Sequence, residues 1–563
     1  MTGWLAPDEL RIGLGCMRLE GDAATIAAAL EAGITVFDTA RAYQGSEELL
    51  ARALGGVERA RIVTKGGMAR PDGAWIPDGR AKAIRANSEA SLEALGGLPI
   101  DLYLLHAPDP RTPWRTSVRA LARLVEDGLV ARVGVCNVNR TQLDEAFELA
   151  PLAAVQVAVS PFDDRPLRGG VLDRCVERGI AVMAHSPLGG PRRASRLMRI
   201  PELARVASAH GATAAEAALA WLLALAPSVV PIPGARRPET ARSAARAASL
   251  RLGDDELERL DAALGRPRIT PPRRARATTR GEVVVVMGIP GAGKSRVAEE
   301  YVERGHLRLN RDERGGTLRE LADELDDALA TGSKRVVLDN TYLTRASRSH
   351  VLQVAARHGV ATRCVWLDTP LAQAQVNVVE RLLDRFGDLP TPERLAELAR
   401  SEPGVLAPTR QMRAFRELEK PSPDEGFAAV EVVAFERAAR PGAANAGVLV
   451  AAAAVGAAGW EAVLADASPS SPHLVFDWRP DGGPSELETV VAALSGLVTG
   501  PVDAAVCPHP AGPPVCWCRP PLPGLALVFA RARDIDLSHS TVVGASPAHA
   551  TLARTLGGRS VMV

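Results

Sequence analysis

The sequence predicts an α/β protein of three successive modules: a (β/α)8 barrel over residues 1–265, a phosphate-loop α/β domain over 282–440 and a small α/β domain over 441–563. An Arg/Pro-rich linker, 266–281, joins the first two. Three observations carry this reading. Eight short apolar runs alternate with helical patterns through residue 264, the octapeptide GIPGAGKS occupies 288–295, and CPHPAGPPVCWC places four metal-type ligands within 507–518.

The eight runs are IGLGC, TVFDT, RIVTK, DLYLLH, RVGVC, AVQVAV, AVMAHS and VVPIPG, in number and spacing those of a barrel in which every strand is followed by a helix. Barrels place their chemistry at the carboxyl ends of the strands. The polar residues there are Asp38, Lys65 and His106, with Tyr43 five positions beyond Asp38. A buried Asp38–Lys65 pair would set an ammonium beside the Tyr43 hydroxyl and lower its pKa, so that it gives a proton to a carbonyl oxygen that His106 orients. These are the parts of a hydride-transfer reductase acting on a small carbonyl substrate.

The linker GRPRITPPRRARATTRG has six arginines, three prolines and no acidic residue, and reads as a solvated spacer. GIPGAGKS follows a four-valine strand and precedes the helical RVAEEYVERG. Gly288, Gly291 and Gly293 let backbone N–H groups approach phosphate oxygens, Lys294 reaches the β- and γ-phosphates of ATP, and Ser295 ligates Mg²⁺. Asp312 follows a short strand, where a carboxylate takes a proton from an acceptor hydroxyl. Asp339 ends another strand, and Arg381 and Arg385 share a helix face at i, i+4. In the third module Cys507, His509, Cys516 and Cys518 form a closed set of four N/S ligands, suited to structural Zn²⁺.

Composition sets the outer limits. At 563 residues and 47% hydrophobic content the chain has material for several cores. No apolar run approaches the roughly 20 residues of a membrane span, and the first twenty residues lack a signal-peptide core, so the expectation is a cytoplasmic protein with no membrane partner. Cysteines scattered at 16, 136, 175 and 364 point to a reducing compartment. Of 67 basic residues only five are lysines: Lys65, Lys82, Lys294, Lys334 and Lys420. Two of these fall on chemical positions, where a titrating amine or compact charge does what guanidinium does not. The net charge of +1 neither marks nor excludes a nucleic-acid partner, and the oligomeric state is left open.

Resemblances sharpen the reading. FDTARAY, VTKGG, YLLHAPD, VGVCNVN, AHSPLGG and VPIPGARRPET resemble the aldo/keto reductase family over residues 1–265. That resemblance implies NADPH-dependent carbonyl reduction with Tyr43 as acid, and Asn137 and Gln156 on the nicotinamide amide. It places His185, beside Ser186, where the family stacks an aromatic ring, and Arg236 or Arg237 at the 2′-phosphate. Gly234 stands where the family commonly has lysine, which keeps NADH as an alternative. NRDERGGTLRE, DNTYLTRASR, AQAQVNVVER and the late MRAFRELEKPSPDEGFAAVEVVAF resemble the kinase domain of polynucleotide 5′-hydroxyl kinases. By that resemblance Asp312 is the general base, Arg319 contacts the acceptor's phosphate, Asp339 organises the substrate or metal site, and Arg381 with Arg385 clamps ATP. The partner would be a 5′-OH end of RNA or DNA, although Gly315 replaces an arginine of some members.

A small-molecule or sugar kinase, and an ATP-binding regulatory module, remain open beside the polynucleotide reading. So does a fusion that reduces a carbonyl and then phosphorylates the new alcohol. The segment from Cys518 onward is similar to the end of haloacid-dehalogenase-type phosphatases, which carry such a zinc loop. The departures outweigh the match: Pro520 and Leu522 replace a lysine, Ala545 and His549 replace the Mg²⁺ carboxylates, and the single D-x-D pair, Asp534 and Asp536, lies between a helix and the next strand. A folded but inactive domain is expected, because a covalent aspartyl route needs its nucleophile and metal ligands.

Overall fold

A computed structural model describes residues 4–19, 23–265, 281–435, 445–465 and 468–563. All of the Arg/Pro-rich linker except Gly281 lies outside them. The chain divides into two compact units, Met1–Thr270 and Pro271–Val563.

The first unit is the barrel. Its strands are β1 (Gly13–Gly15), β2 (Val36–Asp38), β3 (Arg61–Gly66), β4 (Leu102–Leu105), β5 (Val133–Cys136), β6 (Leu152–Ala158), β7 (Ala181–His185) and β8 (Val229–Ile232). They pair in sequence order and in parallel. A bridge between Gly15 and Gly234 closes the ring, with the Gly15 N–H donating to Pro233 O at 2.9 Å. Strands covered on both faces must be apolar on both faces, which explains their near-continuous Val/Leu/Ile character. Val36, Val63, Leu104, Met183 and Val230 fill the interior, while Phe37, Tyr103, Val135 and Trp221 pack beneath the helices. Gly134 sits where the β5–β6 register shifts, and a Cβ there would lie 2.2 Å from Ala154 O, so the two strands approach through a position only glycine can fill.

The second unit holds two parallel sheets. In the first, β9 (Glu282–Met287), β10 (Leu307–Leu309), β11 (Arg335–Asp339), β12 (Ala361–Asp368) and β13 (Ala429–Ala434) stand in the order β10-β11-β9-β12-β13. Strand order reverses at β9, whose carboxyl end opens into GIPGAGKS, and open α/β sheets bind ligands at such points. In the second, β14 (Val448–Ala451), β15 (His473–Trp478), β16 (Val502–Cys507), β17 (Thr541–Gly544) and β18 (Arg559–Met562) stand in the doubly wound order β16-β15-β14-β17-β18.

One apolar core joins these two sheets. Val378, Leu382, Leu395 and Leu398 from the P-loop side pack in the same cluster as Leu449, Phe476, Trp517 and Phe529. The Trp517 indole donates to Leu406 O at 3.1 Å and Gln373 Nε2 to Thr555 O at 3.1 Å, while Arg531 pairs with Asp384. No helix among the described residues is long and apolar enough to cross a membrane.

Candidate functional site

At the carboxyl end of the barrel, Asp38 closes β2, Lys65 lies near the end of β3 and His106 follows β4. The Lys65 ammonium donates to both carboxylate oxygens of Asp38 at 2.8 Å and to Thr39 O at 2.7 Å. Lys65 is 1% exposed and Asp38 4% exposed, so the pair is shielded from water. Burial opposes the ammonium, but the charge and hydrogen bonds of Asp38 overcome it and hold Lys65 above its ordinary range. The Lys65 nitrogen lies 5.2 Å from the centre of the Tyr43 ring, and the Tyr43 and His106 rings meet edge to face at 5.7 Å.

The sequence expectation for Tyr43 needs correcting in sign. Burial raises its pKa by more than Lys65 lowers it, and Asp38 adds to the rise, so the phenol is held in its protonated form. Burial and the Lys65 charge push His106 down to about 3, leaving a neutral imidazole. Trp75, from the short hairpin of Met68–Ala69 and Ile76–Pro77, completes the aromatic wall. It meets Tyr43 at 6.1 Å and His106 at 5.5 Å, with the Arg70 guanidinium 3.9 Å from its ring centre. Sequence reasoning missed Trp75; its only signal was one tryptophan in the polar stretch DGAWIPDG.

The residues assigned to the nicotinamide come together at the same rim. His185 Nε2 is 3.0 Å from Asn137 Oδ1, Asn137 Nδ2 donates to His106 O at 3.1 Å, and His185 Nδ1 is 3.2 Å from Ser186 Oγ. Asn137 and Ser186 both hold left-handed backbones, φ 56° and 51°. Gln156 is buried and gives its amide N–H to Asp38 Oδ1 at 2.7 Å, so it also anchors the Asp–Lys pair. Arg236 and Arg237 are exposed beyond β8, at the N-terminus of the helix Pro238–Ser249, a natural anion position.

In the second unit GIPGAGKS forms a tight loop into the helix Lys294–Glu303. Four side chains hold its carbonyls: Lys294 donates to Ile289 O at 3.1 Å, Gln411 to Pro290 O at 2.8 Å, Asn377 to Gly291 O at 2.7 Å and Thr369 to Ala292 O at 3.0 Å. Within the loop the Ala292 N–H donates to Ile289 O at 3.1 Å and the Gly288 N–H to Thr341 O at 3.4 Å, and the first turn of the helix offers its N–H groups to an anion. Gly291 (φ 86°) passes so close to the helix Leu371–Phe386 that a Cβ would sit 2.3 Å from Ala374 O. Thr369, Asn377 and Gln411 were not found from sequence, since their partners lie 77 to 121 residues away.

Burial lowers the Lys294 pKa to about 8; Asp339 and Asp312 pull it up, and Arg381 and Arg311 push it down. The fold therefore gathers Asp339, Asp312 and Arg381 around the loop lysine. Asp339 is buried and is already committed to Arg308 at 2.5 Å and to the Asn310 amide at 3.1 Å. Asp312 is exposed at the start of the short helix Arg311–Arg314, its N–H donating to Asn310 Oδ1 at 2.7 Å, and Arg319 is exposed on the next helix. Arg385 departs from expectation. It pairs with Glu402 and donates to Pro403 O at 3.3 Å, so of the i, i+4 pair only the charge of Arg381 acts on Lys294. The segments DNTYLTRASR and EGF meet as structure: the fully buried Arg348 forks onto Glu425 at 2.7 and 2.6 Å and caps Tyr342 O and Glu419 O.

Cys507, His509, Cys516 and Cys518 converge with their ligand atoms all within 4.8 Å of one another. Sγ–Sγ separations of 3.4 and 3.6 Å and Sγ–Nδ1 separations of 3.2 and 3.5 Å lie near the about 3.8 Å spanned by two thiolates of tetrahedral Zn²⁺. The donor set fits that ion. Nearby, β14 runs into Ala452, Ala453 and Ala454, with no carboxylate at the end of the central strand. Asp534 is the left-handed C-cap of Gly524–Arg533, Asp536 accepts from Ser538, and His549 Nδ1 accepts the Ala545 N–H at 3.1 Å. These groups serve local turns.

The first unit is thus a parallel eight-stranded barrel that gathers Asp38, Tyr43, Lys65 and His106 at the carboxyl ends of its strands. The profile of the aldo/keto reductase family matches residues 11–264. An uncharacterized oxidoreductase of Schizosaccharomyces pombe is 30% identical over 268 residues, 45% of this chain and 85% of that protein. Aldo-keto reductase str7 of Strobilurus tenacellus is 29% identical over 262 residues, 41% and 77% of the two chains. Among solved structures, an aldo-keto reductase from Klebsiella pneumoniae in complex with NADPH is 28% identical, covering 46% of this chain and 92% of that one with a TM-score of 0.41. The chain belongs to the aldo/keto reductase family through its barrel. Residues 283–402 match a profile described as an AAA domain, consistent with the phosphate loop and sheet found there.

Proposed function

We propose that the barrel reduces a small carbonyl compound with NADPH and that the P-loop domain transfers the γ-phosphoryl group of ATP to the 5′-hydroxyl end of a polynucleotide. The reductase reading rests on one observation above others, the buried Asp38–Lys65 pair beside Tyr43 and His106. Tyr43 gives its proton to the carbonyl oxygen, Lys65 stabilises the phenolate left behind, and neutral His106 orients the oxygen by a hydrogen bond rather than by charge. NADPH supplies the hydride when bound. Asn137, His185, Ser186 and Gln156 line the nicotinamide side, and Arg236, Arg237 and the helix end behind them suit the 2′-phosphate that distinguishes NADPH from NADH.

The kinase reading rests on the loop lysine with Asp312, Asp339 and Arg381 around it, and on the likeness of its motifs to polynucleotide 5′-hydroxyl kinases. Lys294 and Arg381 neutralise charge on the transferred group, Ser295 would hold Mg²⁺, and Asp312 accepts the acceptor proton. Asp312 and Arg319 are exposed, which suits an acceptor too large to be enclosed. Zn²⁺ is assigned to the four-ligand cluster as a structural ion, and the surrounding domain is read as catalytically silent.

Two assays test this. NADPH consumption with a panel of aldehydes and ketones should fall about 10²–10⁴-fold in kcat for Tyr43→Phe. ATP turnover should be stimulated by 5′-OH RNA or DNA oligonucleotides more than by sugars or by the alcohol the barrel makes. Stimulation by that alcohol alone would replace the polynucleotide reading with a reduce-then-phosphorylate pathway.

A further inference from the structure

We infer that the C-terminal domain completes the nucleotide site by forming the base-side wall for the nucleoside half of ATP; the inference rests on the P-loop reading above. A cavity of about 360 Å³ opens directly beside the phosphate loop and shares Ala292 and Gly293 with it. That volume lies in the ~300–1,000 Å³ range of small-molecule sites. On the P-loop side it is walled by Arg296 and Val297 of the loop helix and by Phe435 beyond β13. The opposite wall is Ile535, Asp536 and Ser538, from the turn that connects the helix Gly524–Arg533 to β17.

The loop fixes which half of the nucleotide enters. Phosphates sit at the start of the loop helix, on the N–H groups from Gly293 to Ser295, so the nucleoside must extend away from them, and the adjoining cavity offers the space. Its chemistry agrees. The Asp536 carboxylate, held by the Ser538 N–H at 2.8 Å and the Ser538 hydroxyl at 2.6 Å, would repel phosphate but accepts hydrogen bonds from sugar hydroxyls or an exocyclic amine. Val297, Leu367, Phe435 and Leu537 supply apolar and aromatic surface for a flat base. The wall is firmly seated, because Ile535 and Leu537 are buried in the same apolar core that unites the two sheets. A domain whose central strand ends in alanines thus keeps a role that needs no catalysis of its own.

The test compares ATP with tripolyphosphate, which occupies the loop but has no nucleoside, in calorimetric titrations of the full-length protein with Mg²⁺. In the wild type ATP should bind more tightly than tripolyphosphate. Ser538→Trp, which fills the cavity, should weaken ATP about tenfold or more and leave tripolyphosphate within about twofold. Asp536→Asn, which keeps the volume, should weaken ATP severalfold with the same selectivity. Unchanged ATP affinity in Ser538→Trp overturns the inference, as does equal weakening of both ligands in both variants. A wild type that binds tripolyphosphate as tightly as ATP removes the base-side wall but leaves the P-loop reading intact. A wild type that binds neither removes both.

Discussion

Lys294 should take up a proton when ATP binds. In the free protein burial, Arg381 and Arg311 outweigh Asp339 and Asp312, and its pKa falls from the ordinary 10.5 to about 8. At pH 8 about half of the molecules therefore carry a neutral amine at this position, and at pH 6.5 almost none do. A bound triphosphate brings negative charge against the amine and raises its pKa, so the complex holds more protons than the free protein. Binding at pH 8 should take up about 0.5 proton, rising toward one near pH 9 and vanishing near pH 6.5, and ATP affinity should fall as pH rises through 8. Calorimetry in two buffers of different ionisation enthalpy reads the proton count directly. Lys294→Arg, whose side chain stays charged, should bind without the buffer-dependent heat at pH 8. A wild type whose binding heat at pH 8 is independent of buffer would refute this account of the loop's electrostatics.

The other predictions follow from the same geometry. With His106 at about 3, the imidazole is neutral from pH 5 upward, so carbonyl reduction should show no inflection near 6.5. Such an inflection, lost in His106→Gln, would contradict the neutral assignment. Arg348→Met strands the buried Glu425 carboxylate and should cost about 3–5 kcal/mol in guanidinium unfolding, whereas adding Glu425→Gln should recover part of that loss. The purified protein should contain one equivalent of zinc by elemental analysis. Stripping it should lower the melting temperature and weaken ATP, because Trp517, between two of the cysteines, ties their loop to Leu406 O.

Periodicity and motifs carried much of this molecule. All eight barrel runs are strands, because a strand covered on both faces must be apolar wherever it lies in sequence. The strand-end positions of Asp38, Lys65 and His106 were legible for the same reason, and the phosphate loop is a contiguous signal. What escaped reading was non-local. Thr369, Asn377 and Gln411 reach the loop carbonyls across at least 77 residues, and so does the Arg348–Glu425 fork. Trp75 joins the barrel site from a hairpin with no motif of its own. The sign of the Tyr43 shift depends on burial, which a strand-end position does not report, and the diversion of Arg385 to Glu402 depends on a loop that a helix-face argument cannot see. The shared core of the two C-terminal sheets was hidden for the same reason, since each sheet reads as self-contained along the sequence.

The most direct measurement is transfer of label from γ-labelled ATP to a 5′-hydroxyl oligonucleotide, RNA and DNA in parallel, by the full-length protein. The account predicts labelling of the 5′-OH oligonucleotide, none of the same oligonucleotide already bearing a 5′-phosphate, and a loss of about a hundredfold or more in Lys294→Ala and Asp312→Asn. Absence of label from every oligonucleotide while the protein turns over ATP, or undiminished transfer by Asp312→Asn, would contradict it.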